Sequence, residues 1–231
     1  MPDSNAVQIV YKTPEIIQVK FGMEQSNTYL IIDSGHAIVV DVCSVMAVDE
    51  LFKREIEPDY VILTHEHVDH LWGLNDLRER FPEAKVIAQE SCSKNIVNPK
   101  TNKAAQYRIY ATLRFGESYH NKEAMNRKYC CLPAEITFSD IFEFKWHSHN
   151  FKIVHTPGHS SGSSIIFMDD VIVFTGDTVL NEDSFLKFDD GDEEFFSLVT
   201  SPIINRIKPD TIILPGHGNS FIKKDWMKHY E

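Results

Sequence analysis

With 231 residues, 42% of them hydrophobic and 11% aromatic, and no Pro/Gly/Ser-rich linker, the chain is expected to form one domain over 1–231. A formal net charge of −11 argues against general nucleic-acid affinity over the whole surface, though not against a local basic patch. Met1–Phe21 mixes Asp3, Lys12, Glu15 and Lys20 into its apolar residues, so neither a signal peptide nor a membrane span is expected. Cys43, Cys92, Cys130 and Cys131 lack CxxC spacing and read as reduced thiols of a cytoplasmic protein.

The chain opens with four strand-like runs, Val7–Tyr11, Ile16–Phe21, Thr28–Ile32 and Ala37–Val42. Turn signals at Thr13-Pro14, Gly22 and Asp33-Ser34-Gly35 separate them and predict an antiparallel meander. Val45–Ile56 carries apolar residues at helical spacing and ends at Glu57-Pro58. The β-branched run Asp59–Leu63 reads as a buried strand and leads into Thr64-His65-Glu66-His67-Val68-Asp69-His70. Three histidines and two carboxylates within six residues cannot share one helix face. Strand alternation would align His65, His67 and Asp69 but throw His70 to the other side. The stretch is therefore a loop, rich in ligand types that suit zinc, iron or manganese.

Beyond it, Leu74, Leu77 and Phe81 mark a helix stopped by Pro82, and Lys85–Ala88 resumes a strand. Residues 94–133 break the rhythm with helical patches and no clean strand, and read as an insertion over the core. Strands return at Ile141–Trp146, Phe151–His155, Ser164–Met168 and Val171–Thr175. A helix follows from near Asp192 to Ile207, and Thr211–Leu214 is the last strand.

The two halves are alike in outline. Tyr29–Asp41 and Ser164–Asp177 each read strand, tight turn, strand, terminal aspartate. Each is followed by a helix, a Pro-Asp, a buried strand and a histidine, His65 in one half and His217 in the other. Two such ββαβ halves, packed sheet to sheet, predict an α/β four-layered αβ/βα sandwich with a site at its rim. Thr156-Pro157-Gly158-His159, Gly176-Asp177 and Pro215-Gly216-His217 all follow predicted strands, where glycine permits sharp turns and close approach.

His65-x-His67-x-Asp69-His70, followed by His159, Asp177 and His217 in that order, resembles the metallo-β-lactamase-fold hydrolase superfamily over nearly the whole chain. The resemblance implies two divalent metal ions, zinc first, with iron or manganese as alternatives. His65, His67 and His159 would hold one, Asp69, His70 and His217 the other, and Asp177 would bridge them. Asp41 resembles the aspartate that supports the metal loop from behind. A shared hydroxide between the metals would attack the substrate carbonyl, with Asp69 as the catalytic carboxylate.

His67 disfavours the diiron flavoproteins of this fold, which carry a carboxylate there. Asp177 disfavours true β-lactamases, which carry cysteine or serine. Only 14 residues follow His217, so the helical glutathione-binding domain of glyoxalase II is not expected. The expectation is a glyoxalase II-like or lactonase-like hydrolase of an ester, thioester or lactone. A phosphodiesterase or ribonuclease of the same fold, and a mononuclear iron persulfide dioxygenase, are the alternatives. The oligomeric state stays open, a homodimer included.

Within 94–128 eight bases face two acids. Tyr107, Arg108, Tyr110 and Arg114, with Phe115 and Tyr119, are candidates to cover and attract an anionic substrate; the competing reading is a solvated structural cover. His147 and His149 are expected to face solvent, and His36 to lie in a turn. The acidic run Asp189–Glu194 is expected to form a turn with a helix cap rather than a calcium site.

Overall fold

The computed structural model describes residues 7–22, 25–115, 126–181 and 190–224, apart from the side chains of Arg108, Ala111, Arg114 and Phe115. Tyr119, Asp189 and His229 therefore lie outside the described residues, as does the 116–125 part of the insertion.

The first sheet is ordered β1 (Val7–Lys12), β2 (Glu15–Phe21), β3 (Ser26–Asp33), β4 (His36–Val40), β5 (Glu57–Ile62), β6 (Lys85–Gln89) and β7 (Ile136–Phe138). Its first four strands form the expected meander, and β4 to β7 run parallel. The alternation of side chains sorts the sheet's two faces. Ile17, Leu30, Val39 and Val61 point outward, under α1 (Val45–Lys53) and α2 (Leu74–Arg80), and pack on Val48, Leu51 and Leu77.

The insertion fills the crossover between the parallel strands β6 and β7. α3 (Glu90–Asn95), unforeseen because its ESCSKN sequence lacks apolar periodicity, leads into it, and it carries α4 (Ala104–Phe115). Arg78 fastens its return by donating to Leu132 O at 2.6 Å and Pro133 O at 2.7 Å.

The second sheet is built of β8 (Ile141–Trp146), β9 (His149–His155), β10 (Ser164–Met168), β11 (Ile172–Gly176), β12 (Ile212–Pro215) and β13 (Phe221–Ile222), in the order β13-β12-β11-β10-β9-β8. Ile16, Ile31, Ile38 and Ile62 of the first sheet meet Phe151, Ile153, Ile166, Phe174 and Leu214 of the second in a shared core. Each such side chain stabilises the fold by about 1.5–3 kcal/mol relative to exposure.

The outer face of the second sheet packs Ile165, Val173 and Ile213 against Ile204 and Ile207. Ile204 belongs to a helical run that is not the single helix expected. It divides into α5 (Glu193–Phe195), a π turn (Phe196–Thr200) and α6 (Ser201–Asn205). Pro202, which cannot donate a backbone hydrogen bond, sits in the first turn of α6 just after the π turn.

The layers are thus α, β, β, α, and the repeat is real. β3 and β4 form an antiparallel hairpin followed by α1 and the parallel strand β5. β10 and β11 do the same before α5, α6 and parallel β12.

Two expectations about histidines are corrected. The β8–β9 turn is so tight that His149 pairs across from Trp146 and opens β9. Its side chain is only 14% exposed, with Nδ1 2.6 Å from Asp169 Oδ2, so it does not face solvent freely. His36 opens β4 instead of sitting in a turn, and its Nδ1 lies 3.0 Å from Asp59 Oδ1.

Candidate metal centre

Five strand ends deliver the polar residues to one rim. β4 ends at Asp41, β5 runs into Thr64 and His65, β9 precedes His159, β11 precedes Asp177, and β12 precedes His217. Backbone bonds hold these ends in register: Ser164 N–H donates to Thr64 O at 2.7 Å, Gly216 N–H to Gly176 O at 2.7 Å, and Val42 N–H to His70 O at 2.9 Å. The loop itself closes in a single 3-10 turn, Val68–His70, which swings Asp69 and His70 away from the extended His65–His67 segment.

Two triads of ligand atoms result, each with all its atoms within 4.8 Å of one another: His65, His67, His159 and Asp69, His70, His217. In the first, His67 Nδ1 lies 3.0 Å from His159 Nε2. In the second, His70 Nε2 lies 3.4 Å from His217 Nε2 and 3.6 Å from Asp69 Oδ2. Asp177 stands between them. Its Oδ2 is 3.7 Å from His159 Nε2 and 3.1 Å from His217 Nε2, and its Oδ1 is 3.4 Å from His70 Nε2. All seven expected residues are brought together.

Asp41 could join His65 and His70 in a third grouping, but its carboxylate is already engaged. It accepts from Thr64 N–H at 2.8 Å, Thr64 Oγ1 at 2.7 Å and His70 Nδ1 at 2.9 Å. Asp41 thus braces the loop from below and turns His70 Nε2 towards the site. Its backbone is left-handed, with φ 54°, so the strand ends sharply at this residue. Thr64 Oγ1 in turn lies 3.0 Å from His65 Nδ1.

Crowding favours glycine beside Asp177 and Thr64. A Cβ on Gly216 would stand 2.2 Å from Asp177 Oδ1, and one on Gly176, whose φ is 49°, would stand 2.5 Å from Thr64 Oγ1.

Without a metal the site is an array of opposing charges. Burial, and after it the neighbouring imidazoles of His70 and His67, hold His65 well below its ordinary pKa. Burial also opposes charge on His70 and His217, but Asp177 and Asp69 outweigh it. His70 is raised well above its usual value and His217 to about 10. Burial would raise Asp177, yet His217 and His70 hold it well below the usual carboxylate range; the same opposition leaves Asp69 at about 2.

Among the buried side-chain atoms without a hydrogen-bond partner are two of the expected ligands, His65 Nε2 and Asp177 Oδ1, the latter out of line for a hydrogen bond with His70. An imidazole lone pair and a carboxylate oxygen, both buried and both facing the cluster, fit a cation. The donor set suits a divalent transition metal.

The substrate candidates have a mixed outcome. Tyr107 is 4% exposed and packs edge-on against Trp72, with centroids 4.9 Å apart, in a small core with Val68. Tyr110 packs on the same cluster. The Arg108 and Arg114 side chains lie outside the described residues. Lys103, counted with the basic patch, is buried and paired instead: its Nζ is 3.2 Å from Asp190 Oδ1, and Asp190 Oδ2 accepts from His67 Nε2 at 3.3 Å. Burial resists charge on Asp190, but His67 and Lys103 hold it at about 2.

Asp190 had been hidden in an acidic run whose expected helix cap is real but belongs to Asp192, whose Oδ1 accepts from Phe195 N–H at 3.0 Å. Glu66 also escaped notice, although it stands inside the motif; it is wholly buried.

The sequence model of the metallo-beta-lactamase superfamily matches residues 21–217. The chain is 26% identical over 196 residues to a "probable metallo-hydrolase" of Streptococcus pyogenes, covering 83% of this chain and 75% of that one. It is 28% identical over 152 residues to a hydroxyacylglutathione hydrolase of Xylella fastidiosa, covering 66% of this chain but only 44% of that protein. Among solved structures, the BLEG-1 B3 metallo-beta-lactamase superposes with a TM-score of 0.75 at 20% identity, covering 92% of this chain and 96% of that one; this likeness is one of fold. With a family match that runs from the end of β2 through both triads and the residue between them, the chain belongs to the metallo-beta-lactamase superfamily.

Proposed function

We propose that the protein is a two-metal hydrolase that cleaves an ester, thioester or lactone bond in a small, anionic acyl substrate. His65, His67 and His159 hold the first ion, Asp69, His70 and His217 the second, and Asp177 links the two. The single observation that carries this reading is that the second triad is as complete and as tightly gathered as the first. Zinc is the first choice of metal and iron or manganese the alternatives, because imidazole and carboxylate donors accept all three.

When bound, the ions lower the pKa of a water and polarise the substrate carbonyl. The chain's own residues do the rest. Asp69, ionised at neutral pH, has an oxygen fixed by Ser26 Oγ at 3.2 Å. Its carboxylate accepts a hydrogen bond from the attacking water and orients it. Asp41 keeps His70 facing inward, and the Tyr107–Trp72–Val68 cluster closes the side of the loop to water.

The anionic preference rests on the eight bases of the insertion, with Arg108 and Arg114 as candidate contacts. No described helix is long and apolar enough to cross a membrane. We place the enzyme in the cytoplasm, in keeping with its four free cysteines.

Elemental analysis of the purified protein, paired with a panel of thioester, lactone, ester and phosphodiester substrates, tests the reading. Two transition-metal ions per chain and turnover of acyl substrates are expected, with an anionic ester losing more rate than a neutral one as salt rises. A single iron in a fully active protein that consumes oxygen would replace the proposal with a dioxygenase. Turnover of phosphodiesters alone would move it to the nuclease branch.

A further inference from the structure

We infer that Asp190 is a positioning residue for His67: its carboxylate, held in place by Lys103, fixes the imidazole with Nε2 protonated and Nδ1 turned towards His65 and His159. The inference rests on the first triad being a metal site, as proposed above.

Asp190 Oδ2 accepts from His67 Nε2 at 3.3 Å, while Oδ1 lies 3.2 Å from Lys103 Nζ. A carboxylate can only accept, so the proton of the neutral ring belongs on Nε2. The lone pair is then left on Nδ1, which is 3.0 Å from His159 Nε2. Both ends of the contact are held. On one side Val68 N–H donates to Asn102 O at 2.8 Å, tying the metal loop to the residue before Lys103. Lys103 itself has a left-handed backbone, φ 69°, and is 8% exposed, an unusual degree of burial for a lysine. On the other side Asp192 N–H donates to Gly158 O at 2.7 Å, next to His159. The segment carrying Asp190 and the start of the insertion thus meet over His67. Two covers separated by 87 positions in sequence are joined through one imidazole of the candidate metal site. A carboxylate behind a ligating histidine raises its basicity and fixes its orientation.

The test uses the full chain with Asp190→Ala, Asp190→Asn and Lys103→Met, each checked by thermal melt and far-ultraviolet circular dichroism without metal. Zinc affinity is measured by competition with a chromogenic chelator, and the His67 tautomer by nitrogen-15 NMR of the metal-free protein. Asp190→Ala should weaken the first zinc about 10–100-fold and move the His67 proton off Nε2. Asp190→Asn, which keeps an acceptor oxygen, should restore much of the loss, and Lys103→Met should fall between the parent and Asp190→Ala. The second zinc should hold its affinity. Unchanged first-zinc affinity in a folded Asp190→Ala protein, or a His67 that keeps its Nε2 proton there, would overturn the inference. If the parent binds no metal at the first triad, the functional reading fails, while the tautomer measurement still decides the role of Asp190.

Discussion

The carboxylate of Glu66 accepts a hydrogen bond from Ser160 Oγ at 2.9 Å and so ties the loop bearing His65 and His67 to the loop bearing His159. Asn95 Nδ2 at 2.9 Å and Ser161 Oγ at 3.1 Å complete its shell, and a Cβ on Gly162 would stand 2.5 Å from Oε2. Removing the acceptor takes this partner from the buried Ser160 hydroxyl, at about 1–3 kcal/mol, and loosens the less buried Asn95 and Ser161 contacts. Glu66→Ala should therefore lower the urea midpoint of the metal-free protein markedly, with Glu66→Gln closer to the parent. A midpoint equal to the parent's would show that the clamp carries no load.

Asp41 and Asp69 sit on either side of the same loop, and their replacement should separate support from chemistry. Asp41→Ala strands Thr64 N–H, Thr64 Oγ1 and His70 Nδ1, all of which donate to it. Loss of stability by several times about 1 kcal/mol and poor metal retention should follow. Asp69→Asn keeps the shape but not the charge, and the first triad does not include it. Turnover should fall by about 100-fold or more while the first metal is retained, a loss on the scale of removing a positioned acid or base. Normal turnover of Asp69→Asn at saturating metal would remove the carboxylate from the mechanism.

Gly216→Ala probes the same centre by bulk alone. Its Cβ would meet Asp177 Oδ1 at 2.2 Å and His70 Cε1 at 2.9 Å, both parts of the proposed site. The carboxylate must move, so metal content and activity should both fall sharply while the sheet pairing of β11 and β12 persists. Full metal occupancy in this variant would mean that the rim yields more readily than the contacts indicate.

The clustering of the candidate ligands and the sandwich were legible because both are local signals repeated along the chain. β-branched runs end at residues such as Asp41, Thr64 and Asp177, and these ends are where the fold gathers polar groups. The roles of Asp190 and Glu66 were not legible, because they depend on distant partners. Asp190 meets His67 across 123 positions and Glu66 meets Ser160 across 94, and no spacing rule links such pairs. β7 and β13 were missed for a different reason. At three and two residues they are too short to show alternation, and they exist through pairing with β6 and β12.

Metal removal should change the protein's response to pH as well as its activity. Chelation should abolish hydrolysis, with zinc restoring it. In the metal-free chain His217 is held at about 10 and His70 is also raised, because Asp177 and Asp69 outweigh the opposing effect of burial. His217 is then cationic at neutral pH and His70 is biased the same way, but only neutral imidazole can ligate, so capture of the second metal must expel protons. Calorimetry in buffers of differing ionisation enthalpy should register this release, and second-site affinity should climb as pH rises towards about 10. The stability of the metal-free form follows the same sign. A histidine whose pKa is raised on folding stabilises fully below its unfolded value of about 6.5 and loses that contribution as pH rises through its folded value. Asp69, depressed to about 2, acts at the other end, stabilising above its unfolded value and losing the contribution as pH falls through its folded one. Thermal melts with chelator should therefore decline from neutral pH towards about 10, whereas zinc-loaded protein, its imidazoles already deprotonated, should resist that decline. Identical alkaline losses with and without zinc would show that the second triad does not bind the metal through these two histidines.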